Sequence, residues 1–270
     1  RFMGCCDNVR VDVTYTIPPD HDVMLWKVTV ENQGDADADL QLASYMEFGL
    51  LEFMREAIGW CYLKTQNTFA FDPERRMIRY DYHVVEAPFS PCMGFACNTD
   101  VSGYECSRDD FVGRTGSLQR PAALANKDQL GNSELPLGGH GTGTIGVDLT
   151  LSPEEKRTFA YVFALADTWE DVNGLVERYK TSEDVDRGLQ AVRDFWEERL
   201  NVLAVETGDQ PVDRFINTWN PMNSLMTVEL ARIISTDHVG MDGLRYRDTT
   251  QDALAAATLD PPYCEQRMAQ

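Results

Sequence analysis

The hydrophobic period of this chain changes near residue 170, and that switch excludes folds built on one kind of element. Upstream, apolar side chains alternate with polar ones. Val9, Val11, Val13, Tyr15 and Ile17 are interleaved with Arg10, Asp12, Thr14 and Thr16, as in a strand with one buried face. Met24, Trp26, Val28 and Val30 repeat the pattern, and Asn32-Gln33-Gly34-Asp35 supplies a turn. Alternation continues through Leu40, Leu42, Met46 and Phe48, and through Ile78, Tyr80, Tyr82 and Val84. The clearest pair is Ile145, Val147, Leu149, Leu151 and Phe159, Tyr161, Phe163, Leu165, joined at Ser152-Pro153-Glu154-Glu155. Many strands with turn punctuation and no intervening helix predict a large antiparallel β-sandwich.

Downstream the spacing is helical. Val185, Leu189, Val192, Trp196 and Leu203 share one face of a helix of roughly 20 residues, with N-cap candidates Thr181 and Ser182 and acidic Glu183 and Asp184 in its first turn. Thr207-Gly208-Asp209 reads as its C-terminal cap and loop. A second helical stretch carries Val212, Phe215, Ile216, Trp219, Leu225, Met226, Val228, Leu230 and Ile233, with Pro221 expected to kink or interrupt it. A loop from Asp237 to Asp248 precedes a third helix, Thr250 to Thr258, and a helical pattern resumes at Glu265–Gln270. The expected organisation is a β-sandwich over 1–170, a helical linker over 171–208 and the first helices of a further domain over 209–270. Two or three helices leave their inner faces uncovered, so more chain or a partner is needed. The chain opens in a strand without an initiator methionine and closes inside a helix, and it reads as a fragment at both ends.

Charge and motifs narrow the function. A net charge of −20 repels phosphate backbones and anionic headgroups, which argues against nucleic-acid and membrane partners. A local group of arginines can still reverse the potential for a small anion. Seven cysteines, an odd number without a CxxC pair, argue against a disulfide framework or zinc site and fit free thiols in the cytoplasm. No apolar window is long enough to span a bilayer. His21, His83, His140 and His238 are scattered, so no metal is expected. Gly138-Gly139-His140-Gly141-Thr142-Gly143 lacks the Lys-Ser/Thr ending of a phosphate loop and leads into a strand. There is no GxSxG elbow. Trp26, Trp60, Trp169, Trp196 and Trp219 are sugar platforms or core, and most belong to core.

The densest polar cluster is Asp242-Gly243-Leu244-Arg245-Tyr246-Arg247-Asp248-Thr249-Thr250-Gln251-Asp252. Two readings stand. At the mouth of a helical barrel its carboxylates would accept hydrogen bonds from sugar hydroxyls, and its arginines would hold phosphate or a hydroxyl. Alternatively, Asp248 or Thr249 caps the third helix and Arg247 pairs with Asp252.

Gly243 to Asp252, with its Arg247-Asp248-x-x-Gln251-Asp252 core, resembles the signature of glycoside hydrolase family 94. Upstream, Pro18-Pro19-Asp20, Trp26-Lys27-Val28-Thr29-Val30, Ser44-Tyr45-Met46-Glu47-Phe48, Arg108-Asp109-Asp110-Phe111-Val112-Gly113, Gly116-Ser117 and Asn132-Ser133 resemble that family's N-terminal sandwich, in the same order. The resemblance implies a β-supersandwich, a helical linker and the start of an (α/α)6 barrel. It implies inverting phosphorolysis of a β-linked glucoside of cellobiose, cellodextrin or cellobionic acid type, with inorganic phosphate as co-substrate, no cofactor, and a homodimer. The Gly-Leu-Arg-Tyr-Arg-Asp-Thr-Thr form resembles the cellobionic acid or cellodextrin type more than cellobiose phosphorylase itself. By the same resemblance Asp248 and Arg232 bind the reacting sugar, with Trp219 lining the same concavity. Some members carry a phosphate-contacting arginine six residues before the motif aspartate. Here that position is Asp242, which leaves Arg245 and Arg247 for the phosphate. The general acid is expected beyond Gln270. A glucan-synthase-like relative and a non-catalytic carbohydrate-binding sandwich are the alternatives.

Overall fold

Asp7 and Asn8 both lie at positive φ, 46° and 64°, so the chain reverses within two residues. That tight turn lays strand β1 (Phe2–Cys6) antiparallel on β2 (Val9–Thr16). The computed structural model describes residues 1–48, 67–81, 91–125, 130–136, 138–230 and 246–269. Among these, everything up to Ala191 belongs to one compact unit, and everything from Val192 onward to a second.

The first unit holds two antiparallel sheets. The larger runs β1-β2-β3-β10-β7-β6-β5, where β3 is Val23–Asn32, β5 Thr68–Asp72, β6 Met77–Asp81, β7 Cys92–Cys97 and β10 Lys156–Ala166. The smaller runs β4-β9-β8, with β4 Ala38–Ala43, β8 Gly103–Ser107 and β9 Gly141–Leu151. Successive residues of β3 and β10 point to opposite faces. One face carries Trp26 and Tyr161 inward with Phe95 of β7, ring centroids 5.2 to 6.0 Å apart. The Tyr161 hydroxyl donates to the Ile145 carbonyl of the smaller sheet at 3.2 Å, and Phe48 stacks on Tyr80 at 5.1 Å. The two sheets therefore face each other across an aromatic layer.

The other face of the large sheet is covered by helices. Val23, Leu25, Ala160, Val162 and Ala164 form one core with Val172, Val176, Tyr179 and Val185. Val172 and Val176 come from α3 (Trp169–Arg178), Tyr179 from its C-terminal cap and Val185 from the start of α4 (Ser182–Leu200). Each helix begins on a threonine. Thr168 Oγ1 accepts from Asp171 N–H, and Thr181 Oγ1 from Asp184 N–H, both at 3.2 Å. Lys27 of β3 pairs with Asp186 of α4.

Double coverage explains why β7 escapes sequence alternation. Cys92-Met93-Gly94-Phe95-Ala96-Cys97 has no solvent face, so it carries no polar alternate residues. Gly94 lets the helix approach: a Cβ there would clash with Met77 Sδ and lie 2.9 Å from Val172 Cγ1. β5 and β8 are likewise absent from the sequence reading. The expectation of no helices among the strands needs correction. Arg108–Val112 is a one-turn helix, α1, capped by Ser107 Oγ accepting from Asp110 N–H at 3.3 Å, and Ala122–Ala125 forms α2. Both are too short to show a helical period. The Tyr82–Val84 end of one expected strand, and Trp60, lie outside the described residues.

The second unit is helical. The long helix ends at Leu200, earlier than expected, and Gly208 (φ 83°) with Asp209 instead introduces the next helix. Asp209 caps α5 (Gln210–Arg214) by accepting from Val212 N–H at 3.4 Å. A π turn over Phe215–Trp219 follows, then α6 (Asn220–Leu230). α7 spans Tyr246–Ala256 and α8 Pro261–Ala269. Leu225 and Val228 of α6 pack on Ala256 of α7, with Trp196, Leu259 and Tyr263 around them. Asp260 ties this packing together. It accepts from Tyr263 N–H at 3.1 Å as the cap of α8, and it pairs with Arg199 at 2.6 Å. The Arg199 guanidinium in turn lies 3.6 Å from the Phe195 ring centroid.

Three substitutions test this packing. Gly94→Ala is expected to lower the urea unfolding free energy by about 1–3 kcal/mol through overpacking. Gly174→Ala, at an exposed position of helix α3 with open space around it, is expected to raise it by about 1 kcal/mol. Asp260→Ala removes a cap and a half-buried ion-pair partner together, and should cost about 2–3 kcal/mol in the same measurement.

Candidate functional site

Helix α7 carries the polar motif, and its boundary differs from expectation. The loop predicted to reach Asp248 gives way to helix already at Tyr246, so Arg247, Asp248 and Thr249 occupy the first turn of α7. An aspartate there is favoured by the positive end of the helix dipole. Four-residue spacing then stacks Arg247 above Gln251, and the position of Asp248 above Asp252, one turn apart.

Burial divides this helix. Ala253 and Ala256 are fully buried, and the Cys264 thiol donates to the Ala253 carbonyl at 3.1 Å. Arg247, Gln251 and Leu254, at positions i, i+4 and i+7, are exposed, while Asp252 is half-buried. The motif thus has an open side that α7's own packing does not consume. The side chain of Asp248, and Arg232, Asp242 and Arg245 entirely, lie outside the described residues.

The other candidate, Trp219, sits at the end of the π turn. It is 56% exposed, whereas Trp26 is 9% exposed and Trp169 and Trp196 are half-buried. Trp169 is held by its Nε1–H donating to Asp81 at 3.0 Å, with the Arg79 guanidinium 3.8 Å from its ring centroid. Among the described tryptophans only Trp219 presents an open aromatic face. Phe215, one turn earlier, is 59% exposed and had not been singled out in the sequence.

Pro221 accounts for the widened turn. It has no N–H to give, and in an unbroken α-helix its ring would clash with the Asn217 carbonyl. The backbone instead reaches back five residues, Asn220 N–H donating to Phe215 O. Two side chains fasten this region to the preceding segment. Asp213 accepts from Thr207 N–H at 2.7 Å and from Thr207 Oγ1 at 2.6 Å, and these bonds hold its carboxyl below the ordinary range. Asn217 Oδ1 accepts from Val205 N–H and Nδ2 donates to Val205 O, both at 2.8 Å. An asparagine inside a helical pattern gives no sequence signal of such a role.

The most displaced ionisable groups lie elsewhere. Burial pushes the Cys97 thiol up to about 12 and raises Cys106 and Tyr161 further, all within the sandwich. These groups stay neutral and serve packing. No cluster of three His, Cys, Asp or Glu side chains able to hold a metal occurs among the described residues. His21 is engaged with the Tyr179 hydroxyl at 3.0 Å, and the glycine segment at 138–140 leads into β9. No helix among the described residues is long and apolar enough to cross a membrane.

Comparison with known proteins matches both parts of the chain. Residues 1–182 match the glycosyl hydrolase 94 supersandwich domain, and residues 195–270 match the glycosyl hydrolase 94 superfamily catalytic domain. The chain is 26% identical over 271 aligned residues to the N,N'-diacetylchitobiose phosphorylase of Vibrio proteolyticus, covering 99% of this chain and 33% of that protein. It is 25% identical to the cyclic beta-(1,2)-glucan synthase of Rhizobium meliloti, covering 94% of this chain and 9% of that protein. It is 22% identical to the cellobionic acid phosphorylase of Neurospora crassa, covering 88% and 30%. The chain spans about a third of the length of the phosphorylases it matches. With an antiparallel β-sheet domain followed by helices, and both family models matched in order, the chain belongs to glycoside hydrolase family 94.

Proposed function

We propose that this chain forms part of an inverting phosphorylase that cleaves a β-linked glucoside with inorganic phosphate and releases α-glucose 1-phosphate. The supporting observation is the family match over both segments, together with an Arg-Asp-x-x-Gln-Asp motif whose Arg247 and Gln251 stand on an open helix face. On this reading residues 1–170 are the sandwich, 171–208 a helical linker and 209–270 the first helices of an (α/α)6 barrel. The exposed apolar side chains Phe215, Trp219, Met226 and Leu254 support that reading, because a closed barrel would cover or use them.

The chemistry then divides as follows. A phosphate oxygen attacks the anomeric carbon opposite the leaving group, the glycosidic C–O bond breaks, and an acidic residue outside residues 1–270 protonates the departing oxygen. Phosphate is already an anion, so no base is required. Asp248 accepts hydrogen bonds from hydroxyls of the reacting sugar, Arg232 donates to the same ring, and Trp219 offers an aromatic platform. Arg245 and Arg247 supply the charge for phosphate. The substrate is of cellobiose, cellodextrin or cellobionic acid type. A second reading, glycosyl transfer within a glucan synthase, is favoured by the 25% identity over 94% of the chain to the cyclic beta-(1,2)-glucan synthase.

Incubating the full-length parent protein with phosphate and cellobiose, cellodextrins, cellobionic acid or N,N'-diacetylchitobiose is expected to yield a sugar 1-phosphate. Free glucose formed without phosphate would overturn phosphorolysis, and chain extension without phosphate would favour the synthase. The 270-residue chain alone should show no measurable turnover, since loss of the proton donor costs about 10²–10⁴-fold. In the full-length protein, Asp248→Ala should lower kcat/KM by about 10- to 150-fold, the worth of a hydrogen bond to a charged group. Unchanged kinetics would return Asp248 to a helix-terminal role.

A further inference from the structure

We propose that Asn217 is a positioning residue for the aromatic pair Phe215 and Trp219, holding both toward the sugar through the π turn that carries them. The proposal rests on the assignment of Trp219 to substrate binding. It adds Phe215 as a second aromatic contact and gives the turn a purpose.

The geometry starts from a cost. A π turn is an unfavourable local structure, and once Pro221 has forced it, its roll about the helix axis needs an external reference. Hydrophobic burial provides only part of one, because Ile216 is half-buried while Val212, Phe215 and Trp219 are all exposed. The rest of the reference is polar. Asp213 and Asn217, four residues apart and so on one side, bind Thr207 and Val205 of the preceding non-helical segment. Asn217 satisfies both backbone groups of Val205 at once, a two-point contact that fixes orientation as well as distance.

Phe215 and Trp219 each lie two residues beyond an anchor, roughly 200° around a helix of α pitch. The anchored side and the aromatic side are therefore opposed. Whatever fixes the first aims the second, and an aromatic pair one turn apart suits the apolar face of a pyranose ring. Loss of Asn217 would leave the rings in place on the chain while freeing their direction.

The test uses the full-length parent protein, with steady-state kinetics against the β-glucoside it cleaves and against phosphate, and a thermal midpoint for each variant. Trp219→Ala should raise the sugar KM by about tenfold, and Phe215→Ala by about threefold. Asn217→Ala should raise the sugar KM by about three- to tenfold with kcat and the phosphate KM within about twofold. Adding Asn217→Ala to the Phe215→Ala/Trp219→Ala pair should raise the sugar KM no further, because Asn217 acts only through those two rings. Asn217→Asp keeps the acceptor and loses the donor, so its KM should be intermediate, and it reads the same effect if the alanine variant does not fold. A lowered thermal midpoint with an unchanged sugar KM, or a further multiplicative rise in KM when Asn217→Ala is added to the Phe215→Ala/Trp219→Ala pair, would make Asn217 purely structural and overturn the proposal. An unchanged KM in Trp219→Ala would instead remove Trp219 from the substrate site, and this proposal with it.

Discussion

Strand β7, the Phe159–Ala166 part of β10 and the Val23–Trp26 end of β3 are apolar on both faces, and the rest of the first unit is arranged around covering them. The smaller sheet takes one face through the aromatic layer of Trp26, Phe95 and Tyr161, and α3 with the start of α4 takes the other. Each cover needs a different surface. The aromatic layer is deep because two sheets pack about 10 Å apart. The helix side is lined by alanine, valine and Gly94, whose small size lets a helix settle close to the strands. Capping by Thr168 and Thr181 and the Lys27–Asp186 pair then fix where the helices begin and lie.

The second unit follows another logic. Its helices share a modest core around Leu225, Val228 and Ala256, held at one end by the Arg199–Asp260 pair. Side chains that would ordinarily join a core stay outside it: Phe215 and Trp219 on the π turn, Met226 on α6 and Leu254 on α7. The same open side of α7 carries Arg247 and Gln251. Exposed aromatic, cationic and amide groups of this kind are what a sugar and a phosphate would require, which is what the proposed function draws on.

Legibility varied with how many faces an element buries. β2, β3, β9 and β10 were visible because each has stretches where apolar residues alternate with polar ones. β7 was not, because a strand covered on both sides loses its alternation, and α1 and α2 were not, because four or five residues show no period. The start of α8 at Asp260-Pro261-Pro262 did carry a signal, a capping aspartate before prolines at the first helical positions, that the sequence reading passed over. In the motif, the residue types were readable but their placement was not. Arg247 and Asp248 look like loop residues beside Gly243, yet they form the first turn of a helix.

What the sequence determined by itself was local: the change from a period of two to one near 3.6, the Thr181 cap, the turn at Asn32-Gln33-Gly34-Asp35, and the residue types of the Arg-Asp-x-x-Gln-Asp motif. Each depends on neighbours within a few positions, so one dimension suffices to show it. Tertiary structure decided which strands lie in the middle of the sheet, that Asp260 meets Arg199 across 61 positions, and that Asn217 binds Val205 while Trp219 is left open. Those outcomes depend on which surfaces are covered and by what, and burial is a property of the folded chain as a whole.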